Sequence, residues 1–138
     1  MNTIPLPEFE IGSLVKIEEE TGKLVGYFIY EEKWYYRIAP TFNYKEIDVL
    51  EAPGSKITLL QPPSQKYQSK YKVGHKVGRG EARVCGVSRY EKGFKYYVGF
   101  LDSAFCDVIR WESEDMVDQM VARRQQLINS GEIIDNFE

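Results

Sequence analysis

Hydrophobic and polar residues alternate in short stretches along most of this chain, the period-two rhythm of strands with one face buried and one solvated. Leu14-Val15-Lys16-Ile17 opens the series. Leu24 to Tyr30 and Lys33 to Ile38 follow, rich in β-branched and aromatic residues and parted by Glu31-Glu32, a break short enough for a hairpin. Glu18 to Lys23 reads as a turn in which Gly22 supplies the positive φ. Glu46 to Leu50 predicts a further strand, Ala52-Pro53-Gly54-Ser55 a turn, and Lys56 to Gln61 a closing strand. The plan then restarts with Lys76-Val77, Ala82 to Tyr90, a turn at Glu91-Lys92-Gly93, Phe94 to Leu101 and Asp107 to Trp111. Only after Trp111 does the rhythm become helical. Ser113 suits an N-cap, and Glu114 and Asp115 suit the positive end of the helix dipole. Met116, Val117, Met120, Val121, Leu127 and Ile128 form a stripe with a gap at Arg123-Arg124, and Asn129-Ser130-Gly131 ends it. Glu132 to Glu138 is an acidic tail.

The restart is a repetition. Phe9-Glu10-Ile11-Gly12 recurs as Tyr71-Lys72-Val73-Gly74, Gly26 as Gly86, Trp34-Tyr35 as Tyr96-Tyr97, and Glu51 as Glu112. The spacings lie between 60 and 62 residues, and a small slip in the first hairpin reconciles them. Such a unit is too long for a solenoid repeat and suits a very small barrel. The polar stretch Gln61 to Lys70, with Pro62-Pro63, falls between the copies as a semi-rigid linker. The expected organisation is therefore a first barrel over 1–61, a linker over 62–70, a second barrel over 71–112, and a helix with an acidic tail over 113–138.

Phe9-Glu10-Ile11-Gly12-Ser13-Leu14-Val15, Lys33-Trp34-Tyr35-Tyr36-Arg37-Ile38, Lys95-Tyr96-Tyr97-Val98-Gly99-Phe100 and the ending Trp111-Glu112-Ser113-Glu114-Asp115-Met116 resemble the SH3-like small barrels, Tudor-like modules above all. The chain also resembles small cyanobacterial protein families, a likeness that brings no activity with it. The resemblance implies a mainly β fold of two tandem SH3-like small barrels with a C-terminal α-helix. It implies no particular ligand. The first copy carries an extra stretch, Ala39 to Lys45, where the second has Leu101 to Cys106, and the second lacks the closing strand that the first has at Ser55 to Gln61.

Composition narrows the function classes. No apolar run approaches the roughly 18 residues that span a bilayer, and the N-terminus lacks the basic region and apolar core of a signal peptide. The expectation is a cytoplasmic protein with no membrane partner. Two cysteines and one histidine are too few for a Cys/His zinc site, so no metal and no cofactor is expected. Cys85 stands where Val25 stands in the first copy, as a small buried hydrophobe. The net charge of −3 conceals a segregation: −4 over residues 1–60, +7 over 61–100 and −6 over 101–138.

Two constellations could carry binding chemistry. The first is aromatic: Tyr27, Tyr30, Trp34, Tyr35, Tyr90, Phe94, Tyr96 and Tyr97 are candidates for contact with a protein or peptide partner, since aromatic anchors dominate interface energetics. Strand alternation sends about half of such rings into a core whatever their role. The second is basic: Lys66, Lys70, Lys72, Lys76, Arg79, Arg83, Arg89, Lys92 and Lys95 interleave with aromatics in the manner of single-strand nucleic-acid binders. Internal neutralisation by the acidic flanks is the alternative. Enzyme signatures are weak. His75 has no nucleophile beside it, and Gly74-x-x-x-Gly78-x-Gly80 lacks the Lys-Ser/Thr ending of a phosphate loop. The sequence thus favours a non-catalytic protein- or peptide-binding module, with nucleic-acid binding by residues 61–100 second, and a small ligand-binding protein or enzyme third.

Overall fold

The computed structural model describes residues 6–78, 82–99 and 111–134. Its strands are β1 (Leu14–Ile17), β2 (Glu20–Tyr30), β3 (Lys33–Ala39), β4 (Leu50–Pro53), β5 (Ile57–Gln61), β6 (Arg83–Tyr90), β7 (Gly93–Gly99) and β8 (Trp111–Ser113), followed by the helix α1 (Glu114–Asn129). Every pairing is antiparallel, and the strands form one open sheet in the order β4-β3-β2-β6-β7-β8, with β1 along β2 and β5 along β1. The fold is mainly β with one C-terminal helix, as the sequence pattern predicts. Two local expectations need correction. The first hairpin turns on Glu18-Glu19, with Glu18 at φ 53°, and Gly22 lies inside β2, where a Cβ would meet Ile38 Cγ2 at 2.6 Å. Glu46–Asp48 is a 3₁₀ turn and not a strand, because Arg37 and Lys95 both draw the Glu46 carboxylate inward.

The pairing register of β2 with β3 is repeated by β6 with β7 sixty residues on. Lys23↔Ala39 becomes Arg83↔Gly99, Tyr27↔Tyr36 becomes Val87↔Tyr96, and both ladders break at one bulge, at Val25 and at Cys85. The repeat therefore aligns Tyr36-Arg37 with Tyr96-Tyr97, which corrects the match of Trp34-Tyr35 to that pair. Glu51 likewise aligns with Trp111, since Arg37↔Glu51 corresponds to Tyr97↔Trp111. The slip lies in the first hairpin. Gly12 N–H donates to Leu24 O and Gly74 N–H to Val84 O, both at 2.8 Å, so the spacing has already changed by Leu24.

The bulges mark where β2 and β6 change neighbours. β2 pairs with β1 through Glu20 to Lys23 and with β6 through Gly26, Tyr27 and Phe28 on the far side of Val25. In that short ladder Tyr27 faces Val87, while Gly26 faces Ser88 and Phe28 faces Gly86. The two hairpins thus meet about a local two-fold centred on Tyr27 and Val87. Three transverse rows result. The middle row, Ala52-Tyr36-Tyr27-Val87-Tyr96-Glu112, lies on the core side. There Val15, Leu24, Tyr36 and Ile38 from the first hairpins join Val77, Val84, Tyr96 and Val117 in one apolar cluster.

Helix α1 is set by its ends and by two phenols. Ser113 Oγ accepts from Met116 N–H, and Glu132 N–H donates to Leu127 O past Gly131 at φ 80°. Tyr96 Oη donates to Glu114 Oε1 at 2.7 Å, and Tyr71 Oη to Asp118 Oδ1 at 2.5 Å. Burial first, and then the Glu114 carboxylate, push the Tyr96 phenol well above its ordinary range, so it stays a donor. The apparent gap in the helical stripe closes as well: Arg124 is buried and its Nη1 donates to Gly78 O at 3.3 Å.

Candidate binding surface

The two outer rows lie on the sheet face opposite the main core, and they differ in chemistry. One reads Glu51-Arg37-Gly26-Ser88-Lys95-Ser113, the other Trp111-Tyr97-Gly86-Phe28-Tyr35-Pro53. They are the same positions exchanged between the halves, so one row is polar and the other largely aromatic.

Arg37 is the centre of the polar row. It is 1% exposed, yet every side of its guanidinium has a partner. Nη2 donates to both Glu46 oxygens at 2.8 and 2.7 Å, Nη1 to Glu51 Oε2 at 3.0 Å, and Nε to Ser88 Oγ at 3.1 Å. Its Cζ lies 4.3 Å from the centre of the Trp111 ring, and Tyr44 Oη reaches the same Ser88 Oγ at 2.9 Å. Burial raises the Glu46 carboxyl, but the Arg37 and Lys95 hydrogen bonds outweigh it and hold the group below its ordinary value. Two cations and two carboxylates balance here, and the node joins β3, β4, β6, β7 and the 40–46 loop. Such a saturated node holds the halves together.

A second cation is held differently. Arg89 Cζ lies 5.1 Å from the centre of the Phe94 ring and 5.7 Å from that of Tyr67. Tyr67 in turn packs on Phe42 at 5.0 Å, and Lys23 Nζ sits 4.8 Å from the centre of the Phe42 ring. Tyr67 comes from the linker, pinned where its ring fills the space beside Gly12, and Gln65 Nε2 donates to its hydroxyl. Among the described residues, Arg89 Nε is buried without a hydrogen-bond partner. A buried orphan donor costs about 1–3 kcal/mol, and two ring contacts of about 0.5–1 kcal/mol each offset much of that.

A third feature is an edge. Among the described strands β5 is paired only on its β1 side. Thr58, Leu59, Leu60 and Gln61 are exposed along it, both leucines at 46%, and Leu14 on β1 is exposed beside Gln61. The strand carries no charge and no proline, the usual protections of a bare edge.

The residues nominated from the sequence scatter over these features. Phe94, Tyr96 and Tyr97 are buried instead of presented to a partner, because β7 turns them into the two cores. Tyr35 stacks on Phe28 at 5.4 Å, and Tyr27 meets Trp34 edge-on at 5.5 Å. Tyr30 and Tyr90 are partly exposed at hairpin ends, with Lys95 Nζ 5.2 Å from the centre of the Tyr90 ring. Of the cations, Lys70 pairs with Asp118 at 2.8 Å and Lys95 with Glu46 at 2.9 Å. Arg83 is buried and donates to Gly74 O, and Lys76 is partly buried. Lys66, Lys72 and Lys92 are exposed, and Arg79 lies outside the described residues. Arg37 and Ser88 escaped sequence reasoning as site members. Comparison with family models, with curated proteins and with solved structures finds no match to this chain.

Among the described residues, no three His, Cys, Asp or Glu side chains gather to hold a metal ion, and no helix is long and apolar enough to cross a membrane. Cys85, wholly buried at the β6 bulge, is a free thiol that burial pushes up to about 12, against the weaker pull of the Gly99 backbone and Arg83. In a Cys106→Ser variant, thiol titration at pH 8 should therefore release less than about a tenth of an equivalent from the folded protein and a full one after denaturation.

Proposed function

We propose that the protein is a non-catalytic protein-binding module made of two tandem SH3-like barrels, which takes an extended partner segment along β5. The observation that carries this reading is the bare, uncharged edge of β5 with its two exposed leucines. A strand added there would pair its backbone with open N–H and C=O groups and bury alternate aliphatic side chains. With hydrogen bonds at a net of about 0.5–1.5 kcal/mol each, and about 1.5–3 kcal/mol for a fully buried leucine, a micromolar complex is within reach. The tandem-barrel reading is supported by the sixty-residue register and by β5 closing on β1 in the first half. Nucleic-acid binding by residues 61–100 draws less support. Lys70 and Lys95 are already paired with carboxylates, and Arg83 is buried.

Selection from a random peptide library tests the reading. Enriched peptides should alternate aliphatic residues, and binding should slow amide exchange at 57–61 by at least about tenfold, as new ladder hydrogen bonds require. Leu59→Lys with Leu60→Lys should abolish it. An empty selection, or binders that leave 57–61 unprotected, would reject the edge as the site.

A further inference from the structure

From the geometry around Arg89 we infer that its guanidinium is a preformed carboxylate site, which takes an acidic side chain of a peptide lying across the linker and the β6–β7 hairpin. The Arg89 Nε is the buried side-chain donor left without a partner among the described residues, whereas Arg37, a buried arginine on the other face, has every nitrogen engaged. Native proteins pair such groups nearly always, so a donor left over among the described residues is a place where an added acceptor gains a hydrogen bond. The position has no need of charge for folding. In the matching register, Ile29 opposite Trp34 stands where Arg89 stands opposite Phe94, and Ile29 is buried in an apolar cluster.

The surroundings select the chemical class. Two rings from separate segments, Tyr67 of the linker and Phe94 of β7, flank the guanidinium and leave no carboxylate ion-paired to it among the described residues. A planar fork held this way suits the two oxygens of a carboxylate. Lys23, carried on Phe42 at the other end of the Phe42–Tyr67 contact, adds a second cation on the same run. Stacked bases are a poorer fit. Tyr67 lies between Phe42 and Arg89, Phe42 between Tyr67 and Lys23, and Phe94 is buried, so these rings are engaged already. The argument stands on Arg89 and not on the β5 edge, and the Leu59→Lys, Leu60→Lys variant should leave this site intact.

The test uses the full chain with three probes, an octapeptide of glutamate, the matching octapeptide of glutamine and an eight-nucleotide oligothymidylate, and two competitors, acetate and inorganic phosphate. Binding is read by fluorescence anisotropy and by the Nε–H resonance of Arg89. The glutamate peptide should bind and move that resonance, and the glutamine peptide should do neither. Arg89→Lys keeps the charge but loses the fork, and should weaken binding at least tenfold. Tyr67→Leu, in the linker, should weaken it about fivefold through loss of one ring contact, and Lys23→Gln, which removes a half-buried charge from the same run, about two- to threefold. An unmoved Nε–H resonance overturns the assignment, as does an Arg89→Lys variant that binds like the parent. So does an oligonucleotide that binds as tightly as the acidic peptide, or phosphate that competes better than acetate.

Discussion

Removing the two carboxylates that face Arg37, as Glu46→Ala with Glu51→Ala, is expected to destabilise the protein by about 3–5 kcal/mol. Replacing Arg37 itself with methionine is expected to cost about 1–2 kcal/mol, because a volume-matched apolar side chain tolerates that burial. The order follows from exposure. The Arg37 side chain is 2% exposed, while those of Glu46 and Glu51 are 49% and 40% exposed. Carboxylates left behind by Arg37→Met can turn to water, but a guanidinium stripped of both is left with Ser88 Oγ and the Trp111 and Tyr44 rings, none of which carries a charge. Urea unfolding midpoints with an unchanged slope decide between them. A larger loss for Arg37→Met would mean that the node is worth more as a bridge than it costs as a buried charge. The effect has a pH signature. The Glu46 carboxyl is held below its ordinary 4.5, so its contribution is complete above that value and is lost as pH falls through the lowered one. The gap between parent and double variant should therefore narrow as the pH falls below 4.5.

That node explains why strands are easier to read from this chain than its surface is. β3 and the helix ends are local, written in period-two alternation at Lys33 to Ile38, in Ser113 as a cap and in Gly131 as a stop. Arg37 to Ser88 spans 51 residues, and Tyr67 sits in a polar linker whose composition gives no hint that its ring packs on Phe42. The charge segregation was legible, but its use was not. Lys95 of the +7 segment pairs with Glu46 of the first, and Lys70 with Asp118 of the last, so part of the asymmetry is spent joining the segments. The aromatic pairs misled because Trp34-Tyr35 and Tyr96-Tyr97 look alike on the page. The true anchor is the bulge, where Val25 and Cys85 occupy one position and are equally buried. The sequence match of Gly26 with Gly86, and of Val25 with Cys85 before them, is the part of the repeat that the register bears out.

Those two glycines carry the second large effect: Gly26→Ala and Gly86→Ala are each expected to cost about 3 kcal/mol, the upper range for overpacking a core. A Cβ on Gly86 would stand 2.5 Å from Phe28 Cβ and 2.9 Å from Tyr27 O; one on Gly26 would stand 2.6 Å from both Ser88 Cα and Val87 O. The obstructing atoms are largely the backbone of the facing strand, which cannot rotate away as a side chain can. β2 and β6 must therefore move apart, and their ladder is only three residue pairs long. Gly93→Ala, with nothing within 4 Å of the added carbon, is the control and should stay within about 0.5 kcal/mol of the parent. The double variant should cost less than the sum of the two, because either methyl already parts the same strands. Amide exchange locates the damage: protection should fall first at Gly26 to Phe28 and Gly86 to Ser88, while Lys33 to Ile38 and Phe94 to Val98 hold within their own hairpins. If both variants instead lose protection evenly across all four strands, the hairpins have no stability apart from their junction. The Arg37 node, which spans that junction, would then be a condition of folding for each half and not a clasp between two halves already formed.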